Sequence, residues 1–498
     1  MNTIAIDIGT TNCKAVVVNR KAKVLKTFQR ATKPIEPRQG WNEQDAGEIF
    51  NATIQLLQQA IVFCGEENIS CISFSAAMHS FLAVDKNGKP LMNMITWADL
   101  RSAKYAQQLE GKPVAKKIYK TTGVPLHAMT PLCKLLWLKH EAKDIFNKAH
   151  KFISIKEYIF FRLFDKYVID HSIAAATGLF DEKNLCWHPE ALQLAGIDEQ
   201  RLSELFPVEH FETELQPTVK KKLKLKYEVP FVLGASDGAL ANLGCGLVNM
   251  VNAAVTVGTS GAVRVTSNKY LIDEQQRLFC YYIGDGFYIT GGGINNGGVA
   301  LQWLVEKIFG EDFKDEKKLS ALLKDTSKIN AGADGLIFLP YLFGERAPIW
   351  DENAKACFIG LSSVHTKRHL TKALLEGVCF SIVDVMNALE ETSGSIKNIY
   401  LSGGITKSAV WVQLLADISG KKIMINDTAD ASAFGAAFIG MKATGLVKKI
   451  TDAKMFLKNV KAFEPDRANH RIYKKYFVIY KSLYEKLKNS FGELSAIS

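Results

Sequence analysis

Apolar and polar positions first alternate with the two-residue period of strands, then shift to a helical stripe. Thr3–Ile8, Lys14–Val18 and Val24–Phe28 read as a three-stranded meander with Asn19-Arg20-Lys21 as its second turn. In Asp45–Phe63 the residues Ile49, Ala52, Thr53, Leu56, Leu57 and Ala60 share one helical face, which predicts a helix packed on that meander. Ser70–Ser75 returns to strand, and Phe81–Val84 with the turn Lys86-Asn87-Gly88 predicts a hairpin. Residues 97–215 are mainly helical with loops, including Leu132–His140 and Lys156–Phe164.

The second half repeats the scheme. A hairpin is predicted at 253–266 and a strand at Phe287–Ile289, followed by the glycine-rich stretch 291–298 and a helix at Val299–Ile308. His369–Thr392 reads as a long helix, Asn398–Ser402 as a strand, and Ser408–Ser419 and Ala431–Lys442 as further helices. Residues 468–489 put Tyr473, Tyr476, Phe477, Tyr480, Leu483, Tyr484 and Leu487 on one face, an amphipathic helix that docks on a domain. A hinge is expected near Gly246–Asn252.

Two short turns carry the chemistry of this pattern. Asp7-Ile8-Gly9-Thr10-Thr11-Asn12-Cys13-Lys14 lies between the apolar runs Ile4–Ile6 and Ala15–Val18, and Gly258-Thr259-Ser260-Gly261 between Ala253–Val257 and Ala262–Val265. Turns of Gly, Thr and Ser present successive amides and hydroxyls, which suits phosphate oxygens. Either alone reads as an ordinary hairpin turn; the pair suggests a duplicated domain with a nucleotide between the copies. Asp7 puts a charge where a core favours Val or Ile, and a carboxylate beside a phosphate nest suits Mg²⁺. Lys14 adds a point charge. Asp237, between the apolar strand Phe231–Leu233 and a small-residue helix, is either an N-cap or a general base for a substrate hydroxyl. Gly403 and Gly404, after another strand, let a flat ligand approach the backbone or simply make a turn.

Length and composition narrow the class. A chain of 498 residues exceeds one core, so two domains are the default. Hydrophobic content of 47% and charged content of 23% are those of a globular protein. Nine scattered cysteines without a C-x-x-C pair argue for reduced thiols. The net charge of +11 is spread along the chain with no recognition motif, so a nucleic-acid partner is not expected. Gly238 to Val263 contains no charged residue, but its Gly, Asn, Ser and Thr content argues against a membrane span. No basic and apolar leader precedes the first strand, and a cytoplasmic location is expected.

Read in order, D-I-G-T-T-N-C-K, G-A-S-D-G, V-G-T-S-G, L-S-G-G-I-T-K-S and A-S-A-F-G-A-A resemble the FGGY family of carbohydrate kinases, in the actin/hexokinase/Hsp70 superfamily. Met129–Leu138 is similar to the family's N-terminal signature. Phe358–Leu361, His369-Leu370 and Ala373–Glu376 fit its C-terminal one. The resemblance implies an α/β fold of two duplicated ribonuclease H-like (actin-like ATPase) domains, each on a mixed five-stranded sheet, with a cleft between them. It implies residues 1–248 as the sugar-binding domain, 249–450 as the nucleotide-binding domain, and 451–498 as a docking helical segment. By the same resemblance Asp237 is the catalytic base and, with Asp7, belongs to the magnesium site. Thr10, Thr11, Lys14, Gly258, Thr259, Gly403, Gly404 and Ser408 bind ATP. Met78 and His79 match a Met-His pair that touches the polyol in xylulokinase-like members, where glycerol kinases carry Arg-Glu. Trp97 adds an aromatic face or is simply core, and Asp99 and Arg101 beside it serve the site or form a salt bridge that holds the loop. Family members are commonly dimers, and the sequence shows no interface.

M-H-S-F-L-A-V-D, I-T-W-A-D-L-R-S, F-I-S-I-K-E-Y-I-F, D-H-S-I-A-A-A-T-G-L-F and G-E-R-A-P-I-W-D are most similar to bacterial gluconokinases. That implies transfer of the ATP γ-phosphoryl group to D-gluconate, whose carboxylate calls for a cation or several donors. His79, Arg101, His127 and Lys156 are the candidates. A kinase of xylulose or another ketose, and a non-catalytic sensor on the same fold, are the alternatives.

Overall fold

The meander forms where the alternation predicts it. In the computed structural model, which describes residues 1–425, 430–456 and 461–497, the strand Asn2–Ile8 pairs antiparallel with Asn12–Asn19, and that strand with Val24–Ala31. Ile4, Ala5, Ile6 and Ile8 are all buried, so this central strand is covered on both faces. Ile69–Ala76 joins it in parallel, Phe231–Ser236 follows in parallel, and Phe211–Glu212 closes that edge antiparallel. The helix Ala46–Cys64 covers one face. Asp45 caps it by accepting from the Glu48 amide, and Ile49, Phe50, Ile54 and Leu57 lie in its buried stripe.

The second sheet runs Phe279–Gly284, Phe287–Ile294, Gly261–Ser267, Asn252–Val257, Asn398–Ser402, Lys422–Ile425, Lys461–Phe463. Its inner five strands repeat the first sheet's plan of three antiparallel strands followed by two parallel ones. The expected five-stranded unit therefore occurs twice. Among the described residues antiparallel edge strands widen the sheets to six and seven strands. Such additions cover backbone groups that an open edge would leave unpaired. The strand at 287 is longer than its apolar residues suggest: it continues through Gly291–Gly293, whose backbones pair with Ala262–Arg264.

Two helices made of small residues join the halves. A Cβ on Gly244 would lie 1.8 Å from the Ala431 carbonyl, and one on Gly435 2.1 Å from that of Leu240. The helix Asp237–Gly244 thus lies backbone to backbone against Ala431–Ala443. This second helix comes late in the chain but packs on the first sheet, with Gly440 against Cys71 and Ser73. The terminal helix Arg467–Ile497 buries Tyr473, Tyr480 and Phe491. Tyr480 meets Phe380 of the long helix Lys367–Ser393 at 5.3 Å between ring centroids, and Tyr473 donates to Glu376 at 2.7 Å. Between 97 and 215 short helices alternate with two- and three-residue strands such as Val168–Asp170, too short to register as alternation.

Candidate active site

The first turn closes a hairpin in which Asp7 faces Lys14 across the register. Asp7 is half-buried, and its two oxygens accept from Ser75 (2.7 Å) on the neighbouring strand and Ser432 (2.8 Å) on the helix joining the halves. Burial raises its pKa, while those hydroxyls and Lys14 oppose the rise. The Lys14 ammonium reaches Asp430 at 2.6 Å. The turn's carbonyls are tied back: that of Thr10 accepts from Thr32 and Gln44, that of Thr11 from the Thr32 amide. Among the described residues no hydrogen bond occupies the amides of Thr10 or Thr11.

The second turn is held the same way from behind. The carbonyls of Gly258 and Thr259 accept from the amides of Gly298 (2.7 Å), Gly297 (3.0 Å) and Val299 (3.2 Å), where a helix begins. A Cβ on Gly297 would sit 2.8 Å from the Ser260 carbonyl, so only glycine allows this approach. Thr259 is exposed at the tip. Beside it Gly403 has φ 91° and lies so near Val257 that a Cβ would fall 2.4 Å from its carbonyl; Gly403 and Gly404 are exposed. Ser408 already has its side chain engaged, accepting from the Trp411 amide (3.3 Å) as a helix cap.

Asp237 arrives on the strand Phe231–Ser236 and is the first residue of its helix, with Ser236 in the N-cap position. Its Oδ1 accepts from the Gly238 amide at 2.7 Å. It lines a cavity of about 260 Å³, to which the first half adds Thr10, Met78, His79 and Trp97 and the second Thr256 and Ser260. Burial pushes its carboxyl up to about 6. The charge of Asp7 adds to that rise, against Arg264 and the amides of Gly238 and Met78. The two acids therefore act on each other at one place, and neither is sealed from solvent.

The expected sugar contacts separate into cavity and scaffold. His79 is buried at a positive φ of 63°, and burial, then Lys134 and Arg346, drive its pKa down to about 3. It is neutral, and its Nδ1 has no hydrogen-bond partner among the described residues. Trp97 lies under the Arg346 guanidinium at 4.9 Å. Arg101 is spent elsewhere: it pairs with Asp99 (2.8 Å) and Glu43 (2.6 Å) and stacks on Trp41 at 3.8 Å. Lys156 pairs with Asp170 at 2.6 Å behind the strand that carries Asp237, and His127 faces Glu352 at 3.3 Å. None of these last three lines the cavity.

The cations that do line it are Arg264 and Arg346, with Tyr281 and Trp350 nearby. Sequence reasoning passed over them, although Arg264 interrupts the apolar run Ala262–Val265 as Asp7 interrupts its own strand. Glycines at alternate positions 291 and 293 of the adjacent strand were a second signal, since they leave one sheet face without side chains.

The N-terminal domain model of the FGGY family of carbohydrate kinases matches residues 2–244, and the C-terminal domain model residues 253–444. A gluconokinase of Bacillus subtilis (strain 168) is 37% identical over 498 residues, covering 99% of this chain and 97% of that protein. The crystal structure of gluconate kinase from Lactobacillus acidophilus superposes with a TM-score of 0.93 at 32% identity over 99% of this chain and 100% of that one. The ligand-bound xylulose kinase from the same organism gives 0.93 at 33% over 99% of each.

Proposed function

The chain belongs to the FGGY family of carbohydrate kinases, and from that premise we propose that it phosphorylates D-gluconate at its terminal hydroxyl, giving 6-phosphogluconate and ADP. One observation carries the reading: Asp237, with its pKa lifted to about 6, shares a cavity with residues of both glycine-threonine turns. A base poised just below neutrality is ionised at pH 7 yet able to take a proton from a hydroxyl as that oxygen attacks phosphorus. The choice of gluconate over a neutral sugar is supported by the full-length similarity to the B. subtilis gluconokinase.

In the reaction we propose, the unoccupied amides of Thr10 and Thr11, the exposed tip at Thr259 and Lys14 hold the phosphates. The backbone at Gly403 and Gly404 receives the adenosine, with Ser408 fixing the adjoining helix. ATP lies mainly on 249–450, and the sugar lies against Met78, His79 and Trp97 of 1–248. Neutral His79 accepts a sugar hydroxyl through its unpartnered Nδ1. Asp237 takes the proton from the terminal hydroxyl. Asp7 and Asp237 would hold Mg²⁺: two mutually repelling carboxylates, one braced by Ser75 and Ser432, are the donor set a hydrated divalent cation suits. When bound, that ion would neutralise charge on the phosphate oxygens. Closing the cavity around the acceptor excludes water, which would otherwise take the phosphoryl group.

The test is ADP release from Mg-ATP across gluconate, xylulose, glycerol and glucitol. Highest kcat/KM on gluconate supports the reading. Highest kcat/KM on xylulose would transfer the assignment to a ketose, and no turnover on any acceptor would favour a sensor.

A further inference from the structure

Arg264 and Arg346 form no ion pair among the described residues, although both are half-buried in the cavity wall. They lie across the glycine shelf. Arg264 faces Gly291 in the strand register, and a Cβ there would come 3.0 Å from its Cγ; a Cβ on Gly293 would come 2.9 Å from the Arg346 Cζ. A larger residue at Gly293 would displace the Arg346 guanidinium, and one at Gly291 would meet the Val263 carbonyl at 2.3 Å and crowd the Arg264 stem. The Arg264 Nε is closed off from solvent and has no hydrogen-bond partner among the described residues. Arg346 is oriented by Asn295 (2.8 Å) and the Ile294 carbonyl (3.1 Å). Two like charges with unspent donors are unfavourable in a half-buried site unless an anion joins them.

The protein's own acids, Asp237 beside Arg264 and Glu345 beside Arg346, fill that role only in part. Glu345, next to Arg346, spends its oxygens on the amides of Asn295 (2.5 Å) and Arg346 (2.9 Å) and on Asn296 (3.3 Å). Burial pushes its carboxyl up to about 7, which weakens it as a counter-charge. The charge of Asp237 acts on Arg264, but no hydrogen bond joins the two among the described residues, and in the reading above Asp237 serves the acceptor hydroxyl. Arg346 stacks over Trp97, and Tyr281 stands edge-on to His79 at 6.2 Å with its own hydroxyl unpartnered among the described residues. These groups line the cavity together with Met78, His79 and Trp97.

We propose that Arg264 and Arg346 together receive the carboxylate of the acceptor, so that this cavity selects aldonic acids over neutral sugars of the same length. The proposal rests on the gluconate reading above. A planar fork matches a carboxylate in two places at once, which an ammonium cannot do.

The experiment compares gluconate with glucitol, which replaces the carboxylate by a neutral hydroxymethyl group. Wild type, Arg264→Gln and Arg346→Gln are assayed for ADP release, and for binding by quenching of the cavity tryptophans Trp97 and Trp350. Each variant should raise KM and Kd for gluconate roughly 10- to 100-fold while glucitol changes by less than about threefold. Arg346→Lys should recover part of the selectivity. If Arg264→Gln does not fold, Gly293→Ala, which crowds Arg346, carries the same comparison. Equal losses on both acceptors would mean that the arginines serve the transferred phosphoryl group, and unchanged gluconate binding that they serve neither; each overturns this proposal alone. A wild type inert with gluconate would overturn the substrate assignment and this proposal with it.

Discussion

Replacing Asp237 by asparagine separates chemistry from stability. The side chains are nearly isosteric, and asparagine can still accept from the Gly238 amide through its carbonyl. What disappears is a carboxyl moved from 3.8 to about 6 by burial and by Asp7. The sign follows from the direction. A raised pKa means that the folded state holds the proton more tightly, so this group's contribution to stability is fully present below 3.8 and is lost as pH climbs through about 6. At about 1.36 kcal/mol per pH unit, the ionised group costs up to about 3 kcal/mol at pH 7. Asp237→Asn removes that cost, so at pH 7 it should unfold at a temperature equal to or above wild type. The same change should lower kcat by about 10²- to 10⁴-fold, the range of a lost general base, with ATP affinity nearly unchanged. Differential scanning calorimetry, ADP release and ATP titration read the three quantities. A variant that keeps its turnover would refute the base; one that keeps none but melts well below wild type would refute the electrostatic account.

Asp7→Asn should raise the Mg²⁺ concentration for half-maximal rate by at least about tenfold. It should also move the acidic limb of the kcat/KM profile below about 6, because the charge that helps lift Asp237 is gone; an unmoved limb would show that the two acids do not interact. Gly403→Ala places a Cβ 2.4 Å from the Val257 carbonyl at a φ of 91°, and should weaken ATP about tenfold with gluconate KM unchanged. Gly435→Ala would drive a methyl to 2.1 Å from the Leu240 carbonyl. It should lower stability by about 1–3 kcal/mol in a denaturant titration, with a loss that spans both halves because that helix joins them.

Much of this molecule is legible in the sequence where alternation and a breach of alternation coincide. Asp7 shows in a strand of Ile and Ala, and Asp237 at the end of one of Phe, Val and Leu, because a charge there has no packing reason. Arg264 breaches its strand equally, yet the run from Ala262 to Val265 reads as apolar once valine dominates the eye. Strands without apolar side chains stay hidden, which is why Phe287–Ile294 appears to stop before Gly291. Charge without its partner also misleads: Arg101 and Lys156 look available until the fold supplies Glu43 and Asp170. The helix Ala431–Ala443 is legible as a helix, but its docking on strands such as Ile69–Ala76, more than 350 residues earlier, depends on glycine contacts that no local pattern carries.

The most direct measurement is a crystal structure with gluconate and Mg-ADP bound. The terminal hydroxyl should lie within about 3 Å of an Asp237 oxygen and the carboxylate between Arg264 and Arg346. Gluconate lying the other way round, with its carboxylate toward Asp237 or outside this cavity, would contradict it.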